Sequence, residues 1–307
     1  MHALALIASL ALAATDVHVA HRKVVAADGA ALALYAFGER NERSSVLIIG
    51  DVGFGRTLYE PLARYLVETT GRRVFIAELR GQGAAEASHS LRTTFALDFP
   101  AIAWAVRLET KDKPVDLIAH GYLGTLALAA TTNGLSVNKV VALNTPALAE
   151  PPTKLLADFL THGGRFSTLS ASPEGFSTFI HLFALGSRAD RRELSSALNN
   201  GPRDLGLPVS EELLAWMNAG DLPLDDGTTV VGRLREFDRP TLLLLGLADT
   251  FAPTESCAPL RDLATKANVK VRLFSRVVQG DDYAHASFFV GARARNQVFS
   301  EIEEFLR

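Results

Sequence analysis

Five short runs in this chain are apolar at nearly every position: 46–49, 74–77, 115–118, 140–143 and 242–245. A strand that alternates apolar and polar residues has one wet face, whereas an unbroken apolar run suits a strand covered on both faces, the condition of a parallel sheet. Between the runs lie amphipathic stretches of helix length, 58–67, 101–108 and 124–132, with Pro100 where a first helical residue needs no N–H. Upstream, 18–26 and 31–37 are rich in β-formers and meet at Asp28-Gly29, a strong hairpin signal. A sixth run, 269–274, and a closing amphipathic stretch, 292–306, follow the fifth. Strand and helix in alternation predict an α/β fold with a doubly wound, mostly parallel sheet.

The alternation breaks over residues 146–238, where helical stretches (154–160, 176–185, 191–198, 211–217) come without a core strand. The economical division is a core made of 16–145 and 239–307, with 146–238 as a helical cap inserted over the carboxyl edge of the sheet, where α/β proteins bind ligands. Residues 3–14 form an apolar run too short to span a bilayer. Its length suits a secretory signal, with Ala11-Leu12-Ala13 offering small residues for cleavage, but no Lys or Arg precedes it. Two readings stay open: a signal over 1–15 with a periplasmic or secreted protein, or a buried N-terminal helix in a cytoplasmic one. No other apolar run is long enough to cross a membrane.

Composition narrows the function classes. At 307 residues, 48% apolar and 21% charged, the chain can bury a large core. Lys plus Arg number 31 against 34 Asp plus Glu, with no basic block, which argues against a nucleic-acid binder that works by neutralising phosphates. The single cysteine, Cys257, excludes an internal disulfide framework and a Cys-rich zinc site. Histidines and carboxylates show no spacing such as H-E-x-x-H, so no metal or cofactor is expected.

Four segments then stand out in order: a glycine loop after the first buried run, Glu78-Leu79-Arg80-Gly81-Gln82-Gly83 after the second, the strand–turn–helix Ala119-His120-Gly121-Tyr122-Leu123 after the third, and the pair formed by Asp249 in Gly246-Leu247-Ala248-Asp249 and His285 in Asp281-Asp282-Tyr283-Ala284-His285. The set resembles the α/β-hydrolase family of esterases, lipases and lysophospholipases from about residue 17 onward. The resemblance implies a nucleophile at 121, its acid at Asp249 and its base at His285, with an oxyanion region at Asp51, Val52 and Tyr122. A hydroxyl on a tight turn would be activated by a histidine that an acid orients.

The chain departs from that pattern where chemistry needs it most. The nucleophile position is Gly121, which has no side chain, and the flanking glycines of the family's G-x-S-x-G are Ala119 and Leu123. Asp51 stands in the oxyanion loop, where a carboxylate would repel a developing oxyanion. Cys257, Tyr122 and His120 are poor replacements: the thiol lies in another segment, Tyr122 is displaced by one position, and His120 flanks the turn. The expectation is a non-catalytic relative that binds a small apolar acyl or ester-like ligand, or a protein partner, the cap being rich in Leu and Phe. One alternative is an active esterase or lipase with an unrecognised nucleophile. Another is a nucleotide binder, since Gly50-Asp51-Val52-Gly53-Phe54-Gly55-Arg56-Thr57 fits a phosphate-cradling loop except for Arg56 in the lysine position.

Overall fold

The computed structural model describes residues 17–82, 89–132, 134–170, 172–179, 182–183 and 202–307. Its eight-stranded sheet contains β1 (Val19–Val25), β2 (Ala31–Phe37), β3 (Val46–Ile49), β4 (Val74–Glu78), β5 (Val115–His120), β6 (Val137–Leu143), β7 (Thr241–Gly246) and β8 (Val269–Phe274), in the spatial order β1-β2-β4-β3-β5-β6-β7-β8. β2 runs antiparallel to β1 and β4, and every other pairing is parallel. All residues of β3, β4, β5 and β7 are buried, which is the physical content of their unbroken apolar runs. The Asp28-Gly29 turn joins β1 to β2, with the Ala30 N–H donated to Asp28 Oδ1 at 3.2 Å.

Helices α1 (Glu60–Thr70), α2 (Phe99–Thr110) and α3 (Gly121–Thr131) cover the sheet. Pro100 sits in the first turn of α2, as its missing N–H allows. Helix α3 begins three residues before the stretch at 124–132 that periodicity predicts, directly on the last residue of β5. Every residue from Gly121 to Ala130 is buried, so α3 has no polar face for periodicity to register. The closing stretch also differs from a single helix over 292–306: a π-turn over Arg295–Phe299 leads into α7 (Ser300–Leu306).

Between β6 and β7 the chain forms α4 (Lys154–Thr161), short turns over Phe166–Ser170 and Pro173–Phe179, α5 (Leu207–Ala219) and α6 (Val230–Glu236). Thr153 caps α4 by accepting the Leu156 N–H, and Thr229 caps α6 by accepting that of Gly232. This connection rests on the carboxyl ends of the strands: the Arg203 N–H donates to Gly53 O at 2.7 Å, and the Ala286 N–H donates to Phe183 O at 2.7 Å. The apolar run at 3–14, the helix expected over 191–198, Gly83 and part of the stretch at 176–185 lie outside the described residues. Among the described residues no helix is long and apolar enough to cross a membrane.

From β3 the chain turns to β4 on one side, and from β5 to β6 on the other. The carboxyl ends of β3 and β5 therefore flank the topological switch point, the crevice where open α/β sheets bind ligands. Asp51 follows one of those ends and Gly121 the other.

Candidate functional site

Residue 121 takes a left-handed backbone (φ +61°), because α3 leaves β5 with no connecting loop. For a residue with a Cβ that conformation costs about 1–2 kcal/mol. Space forbids a Cβ as well: it would lie 1.8 Å from Asp51 Oδ2 and 2.1 Å from Asp51 Cγ. The room a nucleophile's side chain would need is thus held by the Asp51 carboxylate. Asp51 Oδ1 accepts the N–H of Val52 at 2.7 Å and of Leu123 at 3.0 Å. The Leu123 N–H is one of the orphan donors in the first turn of α3, and His120 offers it no side-chain cap, so Asp51 caps the helix from another strand. The ring of Tyr122 packs on Trp216 and Phe251 at 5.1 and 5.6 Å. Of the residues expected in the oxyanion region, Val52 supplies one donor to Asp51, while the other comes from Leu123, one position past Tyr122.

Ala119 and Leu123 stand where the resemblance implies glycines. The close approach falls one position later, at Gly124, where a Cβ would meet the Ala119 carbonyl carbon at 2.8 Å.

Asp249, after β7, and His285, beyond β8, converge on the same edge. His285 Nδ1 donates to Asp249 Oδ2 at 2.8 Å, and its Nε2 lies 2.9 Å from Asp51 Oδ2, in ion-pair contact without the alignment of a hydrogen bond. Asp249 Oδ1 accepts the N–H groups of Phe251 and Ala252 at 2.8 and 2.9 Å. Its Oδ2 also accepts the Asn144 side-chain amide. Asn144, at φ +39°, in turn accepts the Gly246 N–H at 2.8 Å, tying the ends of β6 and β7 together. Burial disfavours a charged His285 ring, but the Asp249 and Asp51 carboxylates outweigh it and raise the pKa to about 9. At neutral pH the centre is an imidazolium between two carboxylates.

A second chain of bonds supports it. The Asp51 N–H donates to Tyr59 Oη at 2.7 Å, Tyr59 Oη–H donates to His120 Nδ1 at 3.0 Å, and His120 Nε2–H donates to the His285 carbonyl at 3.2 Å. These partners require the neutral tautomer protonated on Nε2. Burial, followed by the neighbouring charge of His285, holds the His120 pKa well below its ordinary value. Gly50 makes room for this link, since a Cβ there would lie 2.2 Å from the Tyr59 ring. Gln82 donates to the Asp51 carbonyl at 2.8 Å and accepts the Leu79 N–H at 2.9 Å. Arg80 serves structure, pairing with Asp98 and with Asp28 of the hairpin turn. Tyr59→Phe is expected to leave the Asp51 N–H and His120 Nδ1 unpaired, at a cost of about 1–3 kcal/mol. Urea unfolding checks it, and an unchanged midpoint at unchanged slope would show that the link carries no energy.

Tyr59 and Asn144 escape sequence reasoning. The one signal for Asn144 is an Asn ending a buried strand run, since Asn tolerates positive φ better than other residues with a Cβ. Cys257 is buried in a helical turn, where burial pushes its thiol well above the ordinary value and Sγ contacts the Ala252 carbonyl at 3.5 Å. The loop at 50–57 cradles no open anion site, because Asp51 accepts from it. Arg56 pairs with Glu60 at 2.9 Å and lies over the Tyr35 ring, so the nucleotide reading loses both its space and its cation. Above His285, the rings of Phe251, Phe54 and Phe183 stand 4.9, 5.8 and 6.2 Å from the imidazole. Phe166 packs on Phe54 and on Phe183, at 5.4 and 5.2 Å.

No protein-family model matches the sequence, and no curated protein matches it. Solved structures do. A protein described as an aryl esterase from Burkholderia cenocepacia is 17% identical, with 94% of this chain and 98% of that one covered at a TM-score of 0.68. An esterase from Exiguobacterium antarcticum is 18% identical over 92% and 98%, at 0.66. An enol-lactonase from Burkholderia xenovorans is 15% identical over 91% and 97%, at 0.63. With its mostly parallel eight-stranded sheet and flanking helices, this chain has the α/β-hydrolase fold that esterases and lipases share.

Proposed function

We propose that this protein is a non-catalytic relative of esterases and lipases, in which Asp51 has closed the site on itself. The observation that carries the reading is the Asp51 carboxylate, standing where a side chain at 121 would stand and touching His285 Nε2. Serine-type hydrolysis needs a hydroxyl at the turn, an unprotonated Nε2 to take its proton, and free N–H donors for the oxyanion. Here the hydroxyl is missing, Nε2 is protonated against a carboxylate, and the Val52 and Leu123 donors are occupied. A fluorophosphonate probe is expected to leave the protein unlabelled, with p-nitrophenyl butyrate hydrolysis no faster than in His285→Ala. Labelling of the unmutated chain would overturn the reading.

Binding is the role left to the site, and a short acyl or ester-like chain is the class that the rings of Phe54, Phe166, Phe183 and Phe251 would accept on parting. A rise in melting temperature with methyl octanoate tests this half separately. If no rise is seen, the ligand fails and the non-catalytic assignment stands.

A second reading has its own observation. Asp51 Oδ1 is held by two N–H groups while Oδ2 faces His285, an arrangement suited to a carboxylate nucleophile. Oδ2 would displace halide from an alkyl halide to give an ester. Esterification removes the Asp51 charge that helps hold the His285 proton, so the ring would first release that proton to solvent and then take one from the water that cleaves the ester. Halide release, and an alkyl adduct absent from Asp51→Asn, would favour it. The first reading stands ahead, because Asp51 and His285 are both fully enclosed and their 2.9 Å contact leaves no room for a substrate carbon or a water between them.

A further inference from the structure

At the opposite edge of the sheet, where β3, β4 and β5 begin, a cleft of about 290 Å³ is framed by the β2–β3 connection, the residue ahead of β4 and the turn between α2 and β5. Five cations, Arg40, Arg43, Arg73, Lys111 and Lys113, line it against two carboxylates, Glu42 and Glu109, in a chain whose formal net charge is −3. Both carboxylates are already committed. Glu109 takes Arg40 and Arg73 on one oxygen, each at 2.7 Å, and Arg22 on the other, while Glu42 takes Lys113. The nearby Asp112 pairs with Arg107 at 2.8 Å. Arg43 and Lys111 stand in no ion pair among the described residues. Arg73 is nine-tenths buried, and its Nε finds no acceptor.

An Arg43 guanidinium N–H donates to the Thr70 carbonyl, and Lys111, with Lys113, helps hold the Glu42 carboxyl below its ordinary value, yet the five cations of the lining still outnumber its two carboxylates. An anion with several oxygens in the cleft would offset that excess of positive charge, since a guanidinium fork matches phosphate geometry. We infer that this cleft binds a small soluble phosphate-bearing anion. Its concave shape and volume suit a phosphate group with a short remainder rather than a flat bilayer. The inference is independent of how Asp51 is read, because the cleft lies at the other end of the strands.

The test is a calorimetric titration of the full chain with pyrophosphate, holding ionic strength constant with sodium chloride so that general screening does not contribute. Saturable binding is expected, weakened about tenfold or more in Arg43→Ser/Lys111→Ser, given the strength of charge-assisted bonds to an anion. Arg239→Ser, which removes an exposed arginine paired with Asp238 elsewhere, should bind as the unmutated chain does. No saturable binding, or equal affinity in the double variant, would overturn the proposal. So would binding to phosphatidic acid vesicles without binding of pyrophosphate, which would assign the charge to a membrane surface.

Discussion

Gly121→Ser, introduced alone, is expected to destabilise the protein by about 4–7 kcal/mol and to give no esterase activity. The new Cβ cannot share space with an atom 1.8 Å away, so the Asp51 carboxylate must leave. Its departure uncouples a buried ion pair, which costs about 3–5 kcal/mol. The left-handed backbone at 121 adds about 1–2 kcal/mol for any residue with a Cβ. Asp51→Gly/Gly121→Ser removes the collision, frees the Val52 and Leu123 N–H groups and leaves His285 facing a hydroxyl with one carboxylate fewer beside it. Each oxyanion donor is worth about a hundred- to a thousandfold in rate. The double variant is therefore expected to be more stable than the single and to hydrolyse p-nitrophenyl acetate at least about a hundredfold faster. His285→Ala should abolish that gain. A single variant as stable and as active as the double would show that Asp51 does not hold the space in solution.

This coupling is what sequence alone could not show. Gly121 and Asp51 each read as a separate loss, one of a nucleophile and one of an oxyanion donor, because they stand seventy positions apart. The parallel register of β3 on β5, Ile49 opposite Ala119, brings their following residues to one point, so that a carboxylate at 51 and a residue without a Cβ at 121 fit each other. From sequence a carboxylate at 51 is expected to repel an oxyanion; in the structure its Oδ1 accepts the N–H groups of Val52 and Leu123. Asp249 and His285 were legible because each follows a recognisable strand run, and chain order alone brings such ends to one sheet edge.

The strands of the core were legible for the same reason that the helices were less so. Burial on both faces leaves an unbroken apolar run, and β3, β4 and β7 fall on such runs within a residue or two. Helix α3 is buried all round, so its start could not be separated from the strand before it by any change of period. The supporting polar groups left still less trace. Tyr59 acts through the Asp51 N–H and the His120 ring, neither of them a neighbour in sequence, and a lone Tyr has no spacing to mark it.

The second large effect is on stability against pH, and its sign follows from the two buried histidines. In the folded chain His285 titrates at about 9 against an ordinary 6.5. A raised value means that the folded state holds the proton more tightly, so the stabilisation is complete below about pH 6.5 and is lost as pH rises to 9. Across that window the loss is on the order of 3 kcal/mol, since one pKa unit corresponds to about 1.4 kcal/mol. His120 works in the opposite sense. It is held neutral by burial, so its contribution is complete above its ordinary value of 6.5 and falls away as pH drops below it. Together the pair should place maximum stability near pH 6.5, with a steep alkaline limb. The buried tyrosines Tyr59 and Tyr122, whose hydroxyls burial pushes well above 10, add their loss only beyond that limb. Urea unfolding at closely spaced pH values from the acid side of 6.5 to the alkaline side of 9 reads both limbs. Asp51→Asn, which keeps the shape and removes one of the two carboxylates, should shorten the alkaline limb. Stability that stays level between pH 6.5 and 9 in the unmutated chain would mean that His285 is not held as an imidazolium between Asp51 and Asp249.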